Sequence, residues 1–443
     1  MAKLEYDSSG RLLFTKEMKE EYTLLMPQML PVHFGMLKKL LECEGYKVDM
    51  LTTNHRGIVD EGLKYVHNDT CYPALLVIGQ LIDAVKHGGY DPHKVALLIT
   101  QTGGGCRASN YIHLLRKALE KADMAYIPVV SVNLSGLEKN PGFSLSLSFV
   151  RRAIYAMMYG DIIVNVSNQV RPYEVTQGTT DQMIDHWSQK LVDSFQLGKG
   201  MSRGQMREIF DEICADFASI PVQGDPKIRV GVVGEIYVKF APLGNNNLEQ
   251  FLLSEGVEPV VPGLTDFIIF KIYNRVADVD LYGGKWIKKA ACKAFMSYVE
   301  GCQQDMIAAL KKSRRFRAPG TFQELHQMVQ GYLGDGNKMG EGWLLTAEML
   351  ELIHSGTNNI VCTQPFGCLP NHIVGKGMIR KLKDEYPYSN IVAIDYDPGA
   401  TKINQENRIK LMLANAKGLT HQETAIPREP QPKREPRLAH AHS

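Results

Sequence analysis

The stretch Lys94-Val95-Ala96-Leu97-Leu98-Ile99-Thr100-Gln101-Thr102-Gly103-Gly104-Gly105-Cys106-Arg107 reads as a strand, a glycine-rich turn and the start of a helix. An unbroken apolar run of this length, closed by glycines, fits a strand buried on both faces. Helical periodicity resumes over 108–121, and 127–133 is a further strand. Upstream, strands over 23–28 and 47–53 flank a helix over 31–44, and a helix follows Cys71 to about residue 86. Strands alternating with helices predict a parallel sheet with helices on both faces.

Further along, 144–219 holds long helical stretches, at 149–159, 182–195 and 203–217. The turn-rich Pro221-Val222-Gln223-Gly224-Asp225-Pro226 marks a boundary, after which a strand over 228–233 restarts the alternation. A helix over 247–253 follows, a helical insertion spans 285–312, and strand, helix, strand, helix are expected at 359–363, 373–383, 390–395 and 402–416. The chain therefore divides into an α/β domain over 1–143, a helical segment over 144–225, a second α/β domain over 226–418 and a disordered tail over 419–443. That tail contains four prolines, charged residues and histidines.

Three cysteines sit at strand-to-helix transitions. Cys71-Tyr72-Pro73 and Cys368-Leu369-Pro370 share a signature, and Cys106 closes the glycine run. Proline belongs in the first helical turn, so each Cys-x-Pro sets its sulfur just ahead of a helix N-terminus. The free N–H groups and dipole there favour an anion, an environment expected to lower a thiol's pKa and suit a thiolate ligand. Ligands in open α/β sheets gather beyond the carboxyl ends of strands, so a cleft between two such domains can collect Cys71, Cys106 and Cys368 around an iron–sulfur cluster. Gly103, Gly104 and Gly105 let backbone approach a bulky group. They lack the spacing of a phosphate-binding loop, yet a metal-free module gripping a phosphate there stays open.

The chain has 443 residues and balances 50 Lys+Arg against 48 Asp+Glu, so charge makes no case for nucleic acid or an anionic membrane. No signal peptide or membrane span is legible, and the protein reads as cytoplasmic. None of the eight cysteines falls in a Cys-x-x-Cys pair, which argues against zinc ribbons and ferredoxin-like loops. Cys43, Cys214, Cys292 and Cys302 read as core residues, and Cys362 as core or an accessory thiol. The loop 331–342, with five glycines, reads equally as a mobile lid, an anion-binding helix start or a surface loop. Arg171-Pro172-Tyr173-Glu174 reads as an ordinary ion-pairing segment, and His33, His67, His113 and His372 as satisfied polar residues.

The motifs Asn68-Asp69-Thr70-Cys71-Tyr72-Pro73-Ala74, Gln101 to Tyr111, and Pro365-Phe366-Gly367-Cys368-Leu369-Pro370-Asn371-His372 resemble the 2-hydroxyacyl-CoA dehydratase superfamily. The resemblance is strongest to the C-terminal dehydratase-like half of the large activase-related fusion proteins. Gly234-Glu235-Ile236-Tyr237-Val238, Asn245-Asn246-Asn247-Leu248 and Ile394-Asp395-Tyr396-Asp397-Pro398-Gly399-Ala400 extend it over about residues 20–415. The resemblance implies flavodoxin-like (Rossmann-like) domains and a [4Fe-4S] cluster, or half of a double-cubane cluster, held by Cys71, Cys106 and Cys368. It also implies a fourth iron site open to a non-protein ligand. Gly103, Gly104, Gly105, Arg107 and Gly367 would line the cluster, with Arg107 adding positive charge beside Cys106. No ATPase signature is present, so electrons would come from a separate ATP-hydrolysing activator, with a homodimer or heterodimer partner and an acyl-CoA or small-molecule substrate. The expected function is the cluster-bearing subunit of an ATP-dependent low-potential reductase or dehydratase-like system of anaerobic metabolism. A non-catalytic electron-relay or maturation subunit is the alternative.

Overall fold

The computed structural model describes residues 2–67, 69–100, 105–132 and 138–423, with side chains to 418. The first sheet holds β1 (Thr23–Pro27), β2 (Lys47–Leu51), β3 (Val95–Thr100) and β4 (Val129–Val132). Its order is β2-β1-β3-β4 and every pairing is parallel. Helix α1 (Pro31–Cys43) follows β1, with proline at its first position. Helix α2 (Tyr72–His87) feeds β3, and α3 (Tyr111–Lys121) feeds β4. Every residue of α2 from Tyr72 to Val85 is buried, as befits a helix apolar on all sides. Leu75, Leu76, Ile78, Leu81 and Ile82 each contribute about 1.5–3 kcal/mol by that burial.

After β4 the chain leaves the sheet through α4 (Leu147–Val170), whose N-cap Ser146 accepts the Phe149 N–H at 2.9 Å. Two further helices, Thr179–Gln196 and Arg203–Ala218, pack beside it. The second sheet then forms from β5 (Arg229–Gly234), followed by the short helix α5 (Ile236–Phe240), and β6 (Glu258–Val260). Between β6 and the next strand lie α6 (Leu264–Tyr282), α7 (Trp286–Ser313), a helix over Phe322–Val329, and α8 (Leu344–His354). Strands β7 (Asn359–Pro365) and β8 (Asn390–Tyr396) and helix α9 (Lys402–Glu423) close the chain. The order β6-β5-β7-β8 repeats that of the first sheet, again all parallel.

The fold class is thus mixed α/β, built on two four-stranded parallel sheets. Sequence periodicity did not anticipate α6, the helix Arg56–Tyr65 or the three-residue β6. It also stopped α4 about eleven residues early. Helix α9 continues into the first residues of the expected tail, and 424–443 lie outside the described residues. The apolar cores bind the parts together. One joins the first sheet to α4, the helices after it, α6 and α7. Another joins α2 and the opposite face of that sheet to Val230, Val232, Val361 and Ile394 of the second. Among the described residues, no helix is long and apolar enough to cross a membrane.

Candidate metal centre

Cys71 is the N-cap of α2, and Cys106 the N-cap of the single 3₁₀ turn Arg107–Asn110 that leads into α3. Cys368 follows β7 and opens an irregular helical run, a π turn over Asn371–Gly375 and a 3₁₀ turn over Lys376–Met378. Neither Cys71 nor Cys106 caps its helix with a side-chain hydrogen bond, but the backbone N–H groups of Ala74, Ala108 and Asn371, two or three residues on, act on the three sulfurs and favour their anions. The N-terminal placement expected of the three cysteines is therefore present.

The loops meet. The Tyr72 N–H donates to the Phe366 carbonyl at 2.9 Å, tying the first cysteine loop to the third. Gly367 has φ +73°, and a Cβ there would lie 3.0 Å from the Cys71 Cα. Only glycine allows that conformation and that approach without strain. Each of Cys71 and Cys368 feels the charge of Cys106. Gly105 lies against Met339, which would crowd any Cβ there, and Gly103 and Gly104 fall outside the described residues.

Electrostatics correct one expectation. The helix N-termini do not leave these thiols acidic, because removal from water outweighs the N–H donors. Burial pushes Cys71 up to about 11 and raises Cys106 and Cys368 as well. Without a cation the thiols hold their protons. A cation that replaced those protons would keep the N–H donors already in place. Arg107 is exposed, and the cation that Cys106 feels is Lys271 on α6.

Two carboxyls complete the cleft. Glu235 caps α5, accepting the Val238 N–H at 2.9 Å, and its charge reaches all three cysteines. Desolvation and the neighbouring Glu341 push it up to about 8. Glu341 accepts the Ile236 N–H at 3.0 Å and is itself raised by burial. Beneath them the buried Lys239 pairs with Glu348 at 2.8 Å. Tyr111 sets its hydroxyl 3.0 Å from the Cys71 sulfur. Sequence reasoning assigned none of these five a role. Glu235 and Tyr111 stood within quoted motifs, so the signal was present but unread.

No family model matches this chain, and no curated protein does.

The loop 331–342 is a strap pinned to α6, neither a lid nor a free surface loop. Lys271 donates to the Gly340 carbonyl, Asn274 to the Lys338 carbonyl at 3.3 Å, and Tyr273 to Asp335 at 2.7 Å. Cys362 is core, its thiol facing Asn371 at 3.6 Å, and Cys214 and Cys302 are buried. Cys43 is exposed, and Cys292 is only partly covered, on the outer half of α7; for these two the expected burial does not hold. Arg171 pairs with Asp181 at 2.6 Å, and Glu174 accepts the N–H groups of Gly178 and Thr180. His33 pairs with Asp161 at 2.9 Å inside the protein, while His67, His113 and His372 are exposed.

Among the described residues, no three His, Cys, Asp or Glu side chains converge as ligands of a single ion would. A polynuclear cluster makes a different demand, since each thiolate binds its own iron and the sulfurs stand apart. Three cysteines on separate loops, backbone N–H groups that favour each sulfur's anion and a glycine that admits close approach fit such a group. A separate cavity of about 120 Å³, lined in part by His33, Asp161, Glu249, Asp266 and Arg317, includes none of the three cysteines.

Proposed function

We propose that this chain is the iron–sulfur-cluster-bearing subunit of an ATP-dependent low-potential reductase or 2-hydroxyacyl-CoA dehydratase-like system. Cys71, Cys106 and Cys368 hold the cluster, and a separate ATP-hydrolysing activator supplies its electrons. The observation that carries this reading is the meeting, at one cleft, of three helix-starting cysteine loops from two parallel sheets. A bound cluster of this kind takes up and passes on one electron at low potential.

The chain's own residues set the conditions for that chemistry. The N–H groups of Ala74, Ala108 and Asn371 favour the anionic sulfurs. Lys271 places positive charge beside Cys106, and Glu235 and Glu341, both held above the ordinary carboxylate range by burial, line the cleft wall. The motif resemblance points to acyl-CoA thioesters or small reducible molecules as substrates.

The ligand assignment is tested by replacing Cys71, Cys106 and Cys368 singly with serine and recording EPR spectra of the reduced, anaerobically prepared protein. Each variant is expected to lose most of the signal and iron. Full retention in all three would refute the assignment. A spectrum that shifts when an acyl-CoA is added favours a catalytic subunit. One that shifts only with a protein partner favours a relay.

A further inference from the structure

Helices α6 and α7 pack against each other as an antiparallel hairpin, joined by Gly283-Gly284-Lys285. Their inner halves are core: Leu264, Ile269, Phe270, Val276, Val299, Cys302 and Leu310 are all buried. Most residues of the outer halves, roughly 280–298, are exposed; they touch the rest of the chain at Met296, at Tyr298, whose hydroxyl meets that of Tyr155, and at Tyr282, whose ring lies under Lys338. Lys289 pairs with Asp280 across the hairpin, so the two helices support each other to the tip.

What this arm presents to water is apolar. Trp286 is 75% exposed, Tyr282 71% and Ile287 63%, while Leu281, Phe295 and Tyr298 are exposed to lesser degrees. On α7 the partly covered positions Lys289, Cys292 and Met296 recur at helical spacing and mark the side turned to α6. The opposite side carries Trp286 and Ile287 at the tip, Ala290, Ala291 and Ala294 in the middle and Tyr298 at the root. Lys288 and Lys293 stand on its two shoulders. Aromatic side chains carry about 150–250 Å² each, so at these exposures the arm leaves on the order of 700 Å² of apolar surface in water. Patches of that size on soluble chains mark interaction sites.

We infer that this arm is a self-association element, in which the outer faces of α7 from two copies pack antiparallel about a two-fold axis into a four-helix bundle. Bulky groups at tip and root with alanines between them give a face that can meet its own copy, since an isologous contact needs one patch that complements itself. The alanines permit close helix approach, and the tip of each arm reaches the root of the other. With Leu281 and Tyr282 of α6 closing over the tips of the bundle, two copies would bury on the order of 1,000–1,400 Å², at the lower end of stable interfaces. The lysines stay at the solvent edge, where water and salt screen them. Docking onto a bilayer is less well served, because the middle of the face is alanine and contributes little on insertion.

Sedimentation velocity and light scattering over a concentration series test this on the full chain. The expected species is a dimer. A Trp286→Asp/Ile287→Asp double variant is expected to raise the dissociation constant on the order of a hundredfold, as loss of a central aromatic anchor does. Both residues are exposed, so folding is not at stake, and an unchanged melting curve verifies it. Trp187 and Trp343 are fully buried, which leaves Trp286 as the tryptophan that acrylamide can reach. Its quenching should fall as the dimer forms. A Leu147→Asp variant, exposed on another surface, should leave the dimer intact. A monomer at every concentration, or a dimer indifferent to the double variant, would overturn the inference. So would a monomer that binds phosphatidylserine vesicles through Trp286. None of these outcomes depends on iron.

Discussion

In the first sheet the helix that feeds the third strand, α2, begins at Cys71; in the second, the helix in the same position, α8, begins just after Glu341. Beyond the third strands the halves match more closely, with Gly105-Cys106 after β3 and Gly367-Cys368 after β7. The two sides of the cleft therefore share a topology and differ in what supports them. Cys71 rests on α2, mostly apolar but for the buried Gln80 and Asp83, and its side-chain polar contact is the Tyr111 hydroxyl. Cys368 rests on buried polar groups. Asn371, fully buried, donates to the Thr363 carbonyl at 2.7 Å, and Glu341, Lys239 and Glu348 lie behind. One side is fixed mainly by packing. The other is fixed by hydrogen bonds and ion pairs, whose strength depends on charge and pH.

That contrast can be broken experimentally, and the largest effect should come from the ion pair. Replacing Lys239 by methionine leaves Glu348 buried without its partner and should cost on the order of 3–5 kcal/mol in urea unfolding. A Lys239→Met/Glu348→Gln double variant should recover much of that loss. Next is pH. Glu235 is held above its ordinary 4.5, at about 8, so the folded chain binds that proton more tightly than the unfolded one. Stability conferred at low pH is then lost as pH rises from 4.5 to 8, by up to about 1.4 kcal/mol per unit. Glu235→Gln should flatten that part of the profile; an unchanged slope would remove Glu235 from the account.

Smaller effects sharpen the comparison. Asn371→Ala removes one of the two donors to the Thr363 carbonyl and the acceptor of the Cys362 thiol, and should cost about 1–3 kcal/mol in thermal or urea melts. Tyr111→Phe removes the polar contact on the packed side and should cost only about 0.5–1.5 kcal/mol. If the Tyr111 variant proved the more damaging, the division into a packed side and a polar side would be wrong.

The strands and the three helix-starting cysteines were legible because apolar runs and Cys-x-Pro capping are local signals. Val95–Thr100 and Asn359–Pro365 fall close to where alternation placed them. The electrostatics of the cleft were not legible. Lys239 and Glu348 are charged residues, which by default face water, and nothing in Ile236-Tyr237-Val238-Lys239-Phe240 says otherwise until α5 is seen under the cleft. Glu341 stands between two glycines, a setting that reads as loop. The expectation of acidic thiols failed for a related reason. Helix capping is visible in sequence, but the depth of burial that overrides it is a property of the packed fold. The repeated strand order also escaped notice, because the long helical insertion between β6 and β7 hides it from spacing.

Iron and acid-labile sulfide measured on anaerobically purified chain address the central claim most directly. The account predicts about four irons per chain, with matching sulfide. Substitution of Cys71 or Cys368, one on each side of the cleft, should abolish most of it. Absence of iron and sulfide, even after anaerobic reconstitution, would contradict the account and leave the cleft as two buried thiols and a partly buried one.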